Sequence, residues 1–351
     1  MNPAPDSPAI KARAGALGFD ACGITSADPT RHAAYFAQWA AEGKAGEMQW
    51  LTRDPKRRSD PRLVLPEARS LIVLGLNYWQ PQPQGRGRIA RYALGEDYHE
   101  ILLAKLDTLA TELHQNGEQA KVYVDTGPVL EKPLAARAGL GWQGKSTMLI
   151  HPRLGPWLLL GEIITTLPLE PDAPQQDHCG SCDRCLKACP TGAITAPYQL
   201  DARRCIAYLT IELKGSIPEE MRPLIGDRIY GCDECLDVCP WNRFAQTTRE
   251  SRFLTGQTSS SSEKDRLHLL LEISAPEFKQ RFAHSPILRV KRRGLLRNVC
   301  VVLGNIGTAQ DLPALERAAQ HEEPLVREHA AWAILQIEAR IASSKSVALT
   351  L

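Results

Sequence analysis

Residues 179–190 read Cys179-Gly-Ser-Cys182-Asp-Arg-Cys185-Leu-Lys-Ala-Cys189-Pro190. Two residues separate each of the first three cysteines, three precede the fourth, and a proline closes the run. With that spacing the first three thiolates hold one [4Fe–4S] cluster and the fourth reaches across to another. A partial repeat follows as Cys232-x2-Cys235-x3-Cys239-Pro240. It lacks a first cysteine of its own, and Cys205 stands upstream as the replacement. The assignment then closes with no ligand left over. One cluster takes Cys179, Cys182, Cys185 and Cys239; the other takes Cys189, Cys205, Cys232 and Cys235. A chain that commits its thiolates in this way moves single electrons.

Zinc is the main competing reading of these cysteines. A zinc ribbon pairs two CxxC knuckles and has no use for a three-cysteine run closed by Cys-Pro. Disulfides fit less well. The opening stretch MNPAPDSPAIKARAGALG lacks the apolar core and cleavage site of a secretory signal. The expected setting is therefore the reducing cytoplasm, where thiolates persist as metal ligands. Cys22 and Cys300 fall outside the pattern and read as small buried hydrophobes, Cys300 within the run VCVVL.

The chain's 351 residues leave room for two or three domains. Hydrophobic residues make up 43% and charged residues 23%, the balance of a soluble globular protein. No apolar run approaches the ~20 residues of a membrane span, so no membrane partner is expected. Net charge is only +2. Any nucleic-acid contact must therefore come from local basic patches. Residues 53–62 (RDPKRRSDPR) and 289–297 (RVKRRGLLR) are the two candidates. Either could equally be a solvated face.

Residues 1–168 alternate strand-like and helical patterns, as an α/β domain with a central sheet would. LIVLGL (71–76), KVYVD (121–125) and WLLLGEIIT (157–165) read as strands. Leu102, Leu106, Leu109 and Leu113 recur at helical spacing, predicting a helix over 98–115 that Gly117 ends. Pro128 is placed to open the next helix, through about Arg137. Residues 169–245 form the cluster module, with ferredoxin-like turn chemistry after Cys189. Residues 246–265 read as a linker around Ser259–Ser262. The region 266–351 reads as helical. Leu295, Val299, Val302 and Leu303 share one buried face, and Pro313 and Pro324 start further helices. Two such helix pairs resemble HEAT-type repeats.

Three motifs outside the cysteines bear on chemistry. Gly139-Leu-Gly-Trp142-Gln-Gly144-Lys145-Ser146 matches the P-loop pattern formally. A P-loop must follow a strand and open a helix, whereas here a helical pattern precedes and none follows. The preferred reading is a Gly-rich turn that lets backbone approach a flat ligand; a tight helix-to-strand turn is the alternative. Asp125 ends a strand before a helix. It either caps that helix or donates a proton to a ligand at the carboxyl end of the sheet. Gly95-Glu96-Asp97-Tyr98-His99 precedes a helix, where its acids can cap. On spacing, Tyr98 and His99 fit structural better than catalytic roles. No DxHxxG sequence is present, so a bound corrinoid is not expected to exchange its axial base for a histidine.

Taken in order, RYALGEDYH (91–99), VDTGPVLEKPLAARAGLGWQGKS (124–146), LGPWLLLGEIITT (154–166), RCIAYLTIE (204–212), GCDECLDVCPWN (231–242) and LLRNVCVVLGNIG (295–307) resemble the epoxyqueuosine reductase family across nearly the whole chain. The resemblance implies a reductive-dehalogenase-like cobalamin-binding core beside the two [4Fe–4S] clusters. It implies reduction of epoxyqueuosine to queuosine at the wobble position of tRNAs with GUN anticodons, electrons passing from the clusters to cobalamin. It makes Asp125 the proton donor and Arg58 a corrinoid contact. It puts Trp142 and Lys145 in the cofactor cavity, with Tyr98 and His99 near the cofactor. Cys205, Ala207 and Tyr208 should lie between cluster and corrin. Arg289, Lys291, Arg292, Arg293 and Arg297 would meet tRNA phosphates. An external low-potential reductant and a monomeric, cytoplasmic enzyme are expected. Ala93 departs from relatives with cysteine there, which argues against a required thiolate on cobalt. A corrinoid-dependent dehalogenase acting on a small molecule is the alternative.

Overall fold

The computed structural model describes residues 5–254 and 263–348. The strands are β1 (Ala21–Ser26), β2 (Ser70–Asn77), β3 (Arg88–Ile89), β4 (Ala120–Tyr123), β5 (Trp142–Gln143), β6 (Leu149–Ile150), β7 (Leu158–Thr165), β8 (Ile194–Ala196), β9 (Gln199–Leu200) and β10 (Arg228–Tyr230). The central sheet runs β1-β2-β7-β4, and every neighbouring pair is antiparallel. β2 lies inside it with both faces covered, so all of its residues are buried. That is why LIVLGL reads as one continuous apolar run.

The pleat divides those residues between two cores. Ile72, Leu74 and Leu76 pack under the helix Tyr98–Gln115, with its Leu102, Leu106, Leu109 and Leu113. Leu71 and Val73 face the other way, toward Leu134 and Ala135 of the helix Glu131–Arg137. Gly161 in β7 permits the first contact: a Cβ there would come within 2.7 Å of a Leu106 methyl.

Two expectations about this region change. The sheet is antiparallel, so the rule for ligands at the carboxyl ends of parallel strands does not explain Asp125. The second helix starts at Glu131 rather than Pro128, with Leu130 at its N-cap. Asp125 therefore caps nothing. It stands in the loop between β4 and that helix at φ 54°, a left-handed conformation that Asp tolerates better than most residues.

The cluster module attaches through β10, which pairs in parallel with β3. Its helices Arg184–Ala188 and Glu234–Asp237 pack against each other. The expected linker is partly core. Thr248 Oγ1 donates to the Asn77 carbonyl at 2.6 Å, and Phe253 is buried beside Leu102 and Trp157 in one cluster. The run Ser259–Ser262 lies outside the described residues. Cys300 is buried as expected; Cys22 is half-buried in β1.

The tail is helical, and its helices gather round Lys291–Ile306. Residues 294–304 of that helix are buried on every side, beyond the single face expected. This overturns one nucleic-acid assignment. Arg297 is 0% exposed and donates to the carbonyls of Leu209, Leu213 and Gly215 at 2.7–2.8 Å. Its guanidinium fastens the cluster module to the tail and cannot reach a phosphate. Asn298 works beside it, donating to Thr210 and Ile229 carbonyls. Arg297→Leu would strand the guanidinium's three carbonyls and the Asn298 Oδ1 that it also holds, at about 1–3 kcal/mol each. Urea unfolding is therefore expected to show a loss of about 3 kcal/mol or more. A loss under about 1 kcal/mol would mean that water replaces the guanidinium.

Among the described residues no helix is long and apolar enough to cross a membrane.

Candidate functional site

The thiols fall into two sets whose members feel one another's charge. Cys239 feels the charges of Cys179, Cys185 and Cys182. Cys235 feels Cys205, Cys232 and Cys189. The chain crosses between the sets at Cys189 and Cys239, so each cysteine run serves both. Burial pushes the free thiols up, Cys232 to about 12 and Cys239 to about 11. Iron's positive charge is what would hold such sulfurs as thiolates. Main-chain N–H groups help. Those of Tyr208 and Ala207 bond Cys205, that of Glu234 bonds Cys232, and Ala193 N–H bonds the Cys189 sulfur at 3.2 Å. Donors of this kind tune cluster potential. The donor sets and their amide cradles fit two [4Fe–4S] clusters.

Trp142 and Lys145, expected in a corrinoid cavity, make their contacts with the cluster scaffold. Trp142 opens the β5–β6 hairpin, packs edge-on against Trp241 at 4.7 Å and lies beside Cys179. Lys145 Nζ donates to the carbonyls of Gly180 and Cys182, inside the first cysteine run. No helix follows the Gly-rich turn, so the P-loop reading fails as expected.

Asp125 and its neighbours make the second half of the site. Its side chain is 48% accessible, yet protein surrounds it on almost every side. A group both accessible and surrounded lines a cleft open to solvent. Tyr98 and His99 reach it because Asp97 caps their helix, accepting the His99 N–H at 3.0 Å. Tyr98 Oη donates to Asp125 Oδ2 at 3.0 Å. His99 Nδ1 contacts Asp97 at 2.7 Å, and its Nε2 stands 3.6 Å from Asp125, an ion-pair distance. Burial opposes charge on His99, but Asp125 and Asp97 outweigh it and lift its pKa to about 9. Burial likewise opposes charge on Asp125, but His99, Tyr98 and Lys132 hold it below the usual carboxylate range. The pairing therefore favours an ionised Asp125 beside a protonated His99.

Arg58 does not point into the cleft. It is 7% exposed, donates to the carbonyls of Gly127 and Val129, and lies 5.4 Å from the Trp50 ring. It pins the Asp125 loop. Arg289 stacks on the same ring at 5.5 Å and pairs with Glu212. Lys291 and Arg293 are exposed, whereas Arg292 is half-buried against the Ile273 carbonyl and His321. Tyr208 is buried against Gly46, its hydroxyl accepting the Glu47 N–H. Ala93 is buried in an apolar cluster.

Several residues here escaped the sequence reading. Arg91 clamps the second cysteine run through Asp233 and Asp237. Lys132 neighbours both Asp125 and Cys205, which puts the second thiol set on the cleft side. Glu131 accepts the Asp125 N–H at 2.5 Å. Burial, then the Asp125 charge, raise Glu131 to about 7 against Lys132 and Arg58. Glu162, within β7, is held well above the carboxylate range by burial, then by Glu131 and Asp125. A lone Glu inside WLLLGEIIT was the one available signal.

Comparison with known proteins agrees with this geometry. A family model described as epoxyqueuosine reductase QueG, DUF1730, matches residues 58–126, and a 4Fe-4S double cluster binding domain matches 178–242. The epoxyqueuosine reductase of Xanthomonas campestris is 43% identical, covering 93% of this chain and 95% of that one. This chain belongs to the epoxyqueuosine reductase family. The Escherichia coli K12 member is 40% identical over 95% of this chain and 90% of its own. An epoxyqueuosine reductase crystallised with a tRNA-Tyr epoxyqueuosine-modified stem loop superposes with a TM-score of 0.86 at 35% identity, covering 93% and 89%. The Bacillus subtilis epoxyqueuosine reductase, solved with its catalytic aspartate loop swung out of the active site, gives 0.81 at 34%, with the same coverage. The family is one of oxidoreductases, and 178–242 is its double-cluster domain.

Proposed function

We infer that this chain reduces the epoxide of epoxyqueuosine in tRNA to the alkene of queuosine, at the wobble position of GUN anticodons. The observation that carries the reading is the Asp125 cleft, set beside the thiol set that contains Cys205. The stem-loop complex of a relative supports the substrate, and the swung-out aspartate loop of another supports Asp125.

A solvent-open cleft with a carboxylate on its wall and cluster thiols behind Lys132 fits a large redox cofactor. Cobalamin, when bound, would supply a strongly reducing cobalt centre for opening the epoxide. Tyr98, His99 and Asp125 would hold it on one side, with the Cys205–Tyr208 turn on the other. The eight cysteines would hold two clusters, which when bound would supply the electrons singly from an external low-potential reductant. Asp125 delivers the proton to the ring oxygen as the C–O bond breaks. Its source is the imidazolium of His99: the developing alkoxide is a far stronger base than either group. Tyr98 keeps the Asp125 carboxyl oriented, and Arg58 holds its loop.

The chain acts as a monomer in the cytoplasm, and the helical tail, as two HEAT-like pairs, faces the tRNA. With Arg297 buried and Arg292 engaged, the basic surface reduces to Arg289, Lys291 and Arg293. Lys291→Glu with Arg293→Glu should weaken stem-loop binding. The slope of log affinity against log salt should fall by about 0.7 for each phosphate no longer neutralised. An unchanged slope removes this surface from the interface.

The direct test is anaerobic reconstitution with iron, sulfide, cobalamin and a strong reductant, followed by addition of epoxyqueuosine tRNA. Mass spectrometry of digested nucleosides should show cobalamin-dependent loss of one oxygen. No conversion by protein carrying both clusters would refute the activity.

A further inference from the structure

Behind Asp125 lies a carboxyl layer that the chemistry of the cleft leaves unused. Glu131 is half-buried and takes the Asp125 N–H. Glu162 is 0% exposed, and neither of its oxygens meets a donor. The register explains the stacking. Tyr123, just ahead of the Asp125 loop, pairs with Glu162 across β4 and β7. Glu162 shares the sheet face of Leu160 and Ile164, the face that packs on the helix Glu131 begins. A buried carboxylate without donors is too costly to persist charged. A proton held between Glu162 and Glu131 supplies the hydrogen bond that two carboxylates cannot form.

Stoichiometry gives this layer a task. Converting an epoxide to an alkene and water consumes two electrons and two protons. The Asp125–His99 pair holds one proton. We propose that Glu131, backed by Glu162, is the second proton source of the reaction. The proposal rests on the Asp125 reading. The first proton goes from the Asp125–His99 pair to the ring oxygen as one C–O bond breaks. The Glu131 O–H then breaks, and its proton passes through Asp125 to the hydroxyl, which leaves as water while the second C–O bond breaks. The two cluster-derived electrons end in the new C=C bond. Glu162 reprotonates Glu131, and solvent refills the chain after product release.

The charged and titratable groups facing Glu131 are Asp125 from the loop, Lys132 from its own helix, Arg58 from the helix Pro55–Ser59, Tyr98 from the helix Tyr98–Gln115 and Glu162 from β7. Those facing Asp125 are His99, Tyr98 and Lys132, with Tyr92, Asp97, Arg58, Arg289, Glu131 and Glu162 around them. Glu131 rests near its midpoint at neutral pH. The wild-type rate should therefore fall above about pH 7, with a second fall near 9 from His99.

The test compares wild type, Glu131→Gln, Glu131→Asp and Glu162→Gln, each loaded with both clusters and cobalamin. Glu131→Gln should slow turnover about a hundredfold and lose the pH limb near 7, without weakening stem-loop binding. Glu131→Asp should recover that limb. Before cofactor loading, glutamate-labelled infrared spectra should show a protonated carboxyl band that titrates near neutrality and is missing in Glu131→Gln. A band persisting to higher pH should be missing in Glu162→Gln. Glu131→Gln turnover within twofold of wild type, or an unaltered limb near 7, overturns the proposal, as does the absence of a protonated glutamate band at pH 7. These outcomes leave the Asp125 reading intact, because that reading fails only if Asp125→Asn still turns over.

Discussion

Asp125→Asn, loaded with both clusters and cobalamin, is expected to lose at least about a hundredfold in epoxide reduction while binding the tRNA stem loop normally. Asparagine keeps the shape of the side chain and still accepts the Tyr98 hydroxyl. It cannot pass on a proton. The substitution also removes the ion pair at His99, so the imidazole pKa should fall from about 9 toward its ordinary value. NMR titration of His99 checks this without turnover. The sign of the stability effect follows. A histidine with a raised folded-state pKa contributes stability that is fully present below about 6.5 and is lost as pH rises through about 9. The stability gap between wild type and Asp125→Asn should therefore narrow over that window. Near-normal conversion by Asp125→Asn would remove Asp125 from the chemistry.

Loss of one cluster should be as severe. Cys235→Ser strikes a sulfur at the buried centre of the second set. Iron content should fall from about eight to about four atoms per chain, and turnover should vanish. The crossed ligation makes a sharper test. Cys189→Ser with Cys235→Ser removes two ligands of one set, so one cluster should survive. Cys185→Ser with Cys189→Ser removes neighbours in sequence that serve different sets, so both clusters should be lost. Equal iron contents in the two double variants would contradict the crossing.

The cysteine frame was legible because cluster ligation imposes fixed local spacings, which sequence displays directly. The helix Tyr98–Gln115 was legible to the residue because its leucine stripe and its Asp97 cap are both local signals. Asp125 was legible as a candidate but not in its charge state. That state depends on His99 and Lys132, which reach it across loops and helices. The contacts of Trp142 and Lys145 with the first cysteine run were not legible, because a Gly-rich turn announces close approach without naming what approaches. In the basic run 289–297, five similar cations have different fates, from the exposed Lys291 to the wholly buried Arg297.

The sequence by itself determined the two-cluster frame, the strands within LIVLGL, KVYVD and WLLLGEIIT, the helix Tyr98–Gln115, and the family. Each is written in short-range spacing or in ordered motifs. The tertiary structure alone decided that the sheet is antiparallel. It alone stacked Glu162, Glu131 and Asp125 behind one cleft and turned the second thiol set toward it. Those outcomes depend on which distant segments share a low-dielectric interior. Burial and neighbouring charge fix where a proton rests, and neither is a property of any stretch of sequence read alone.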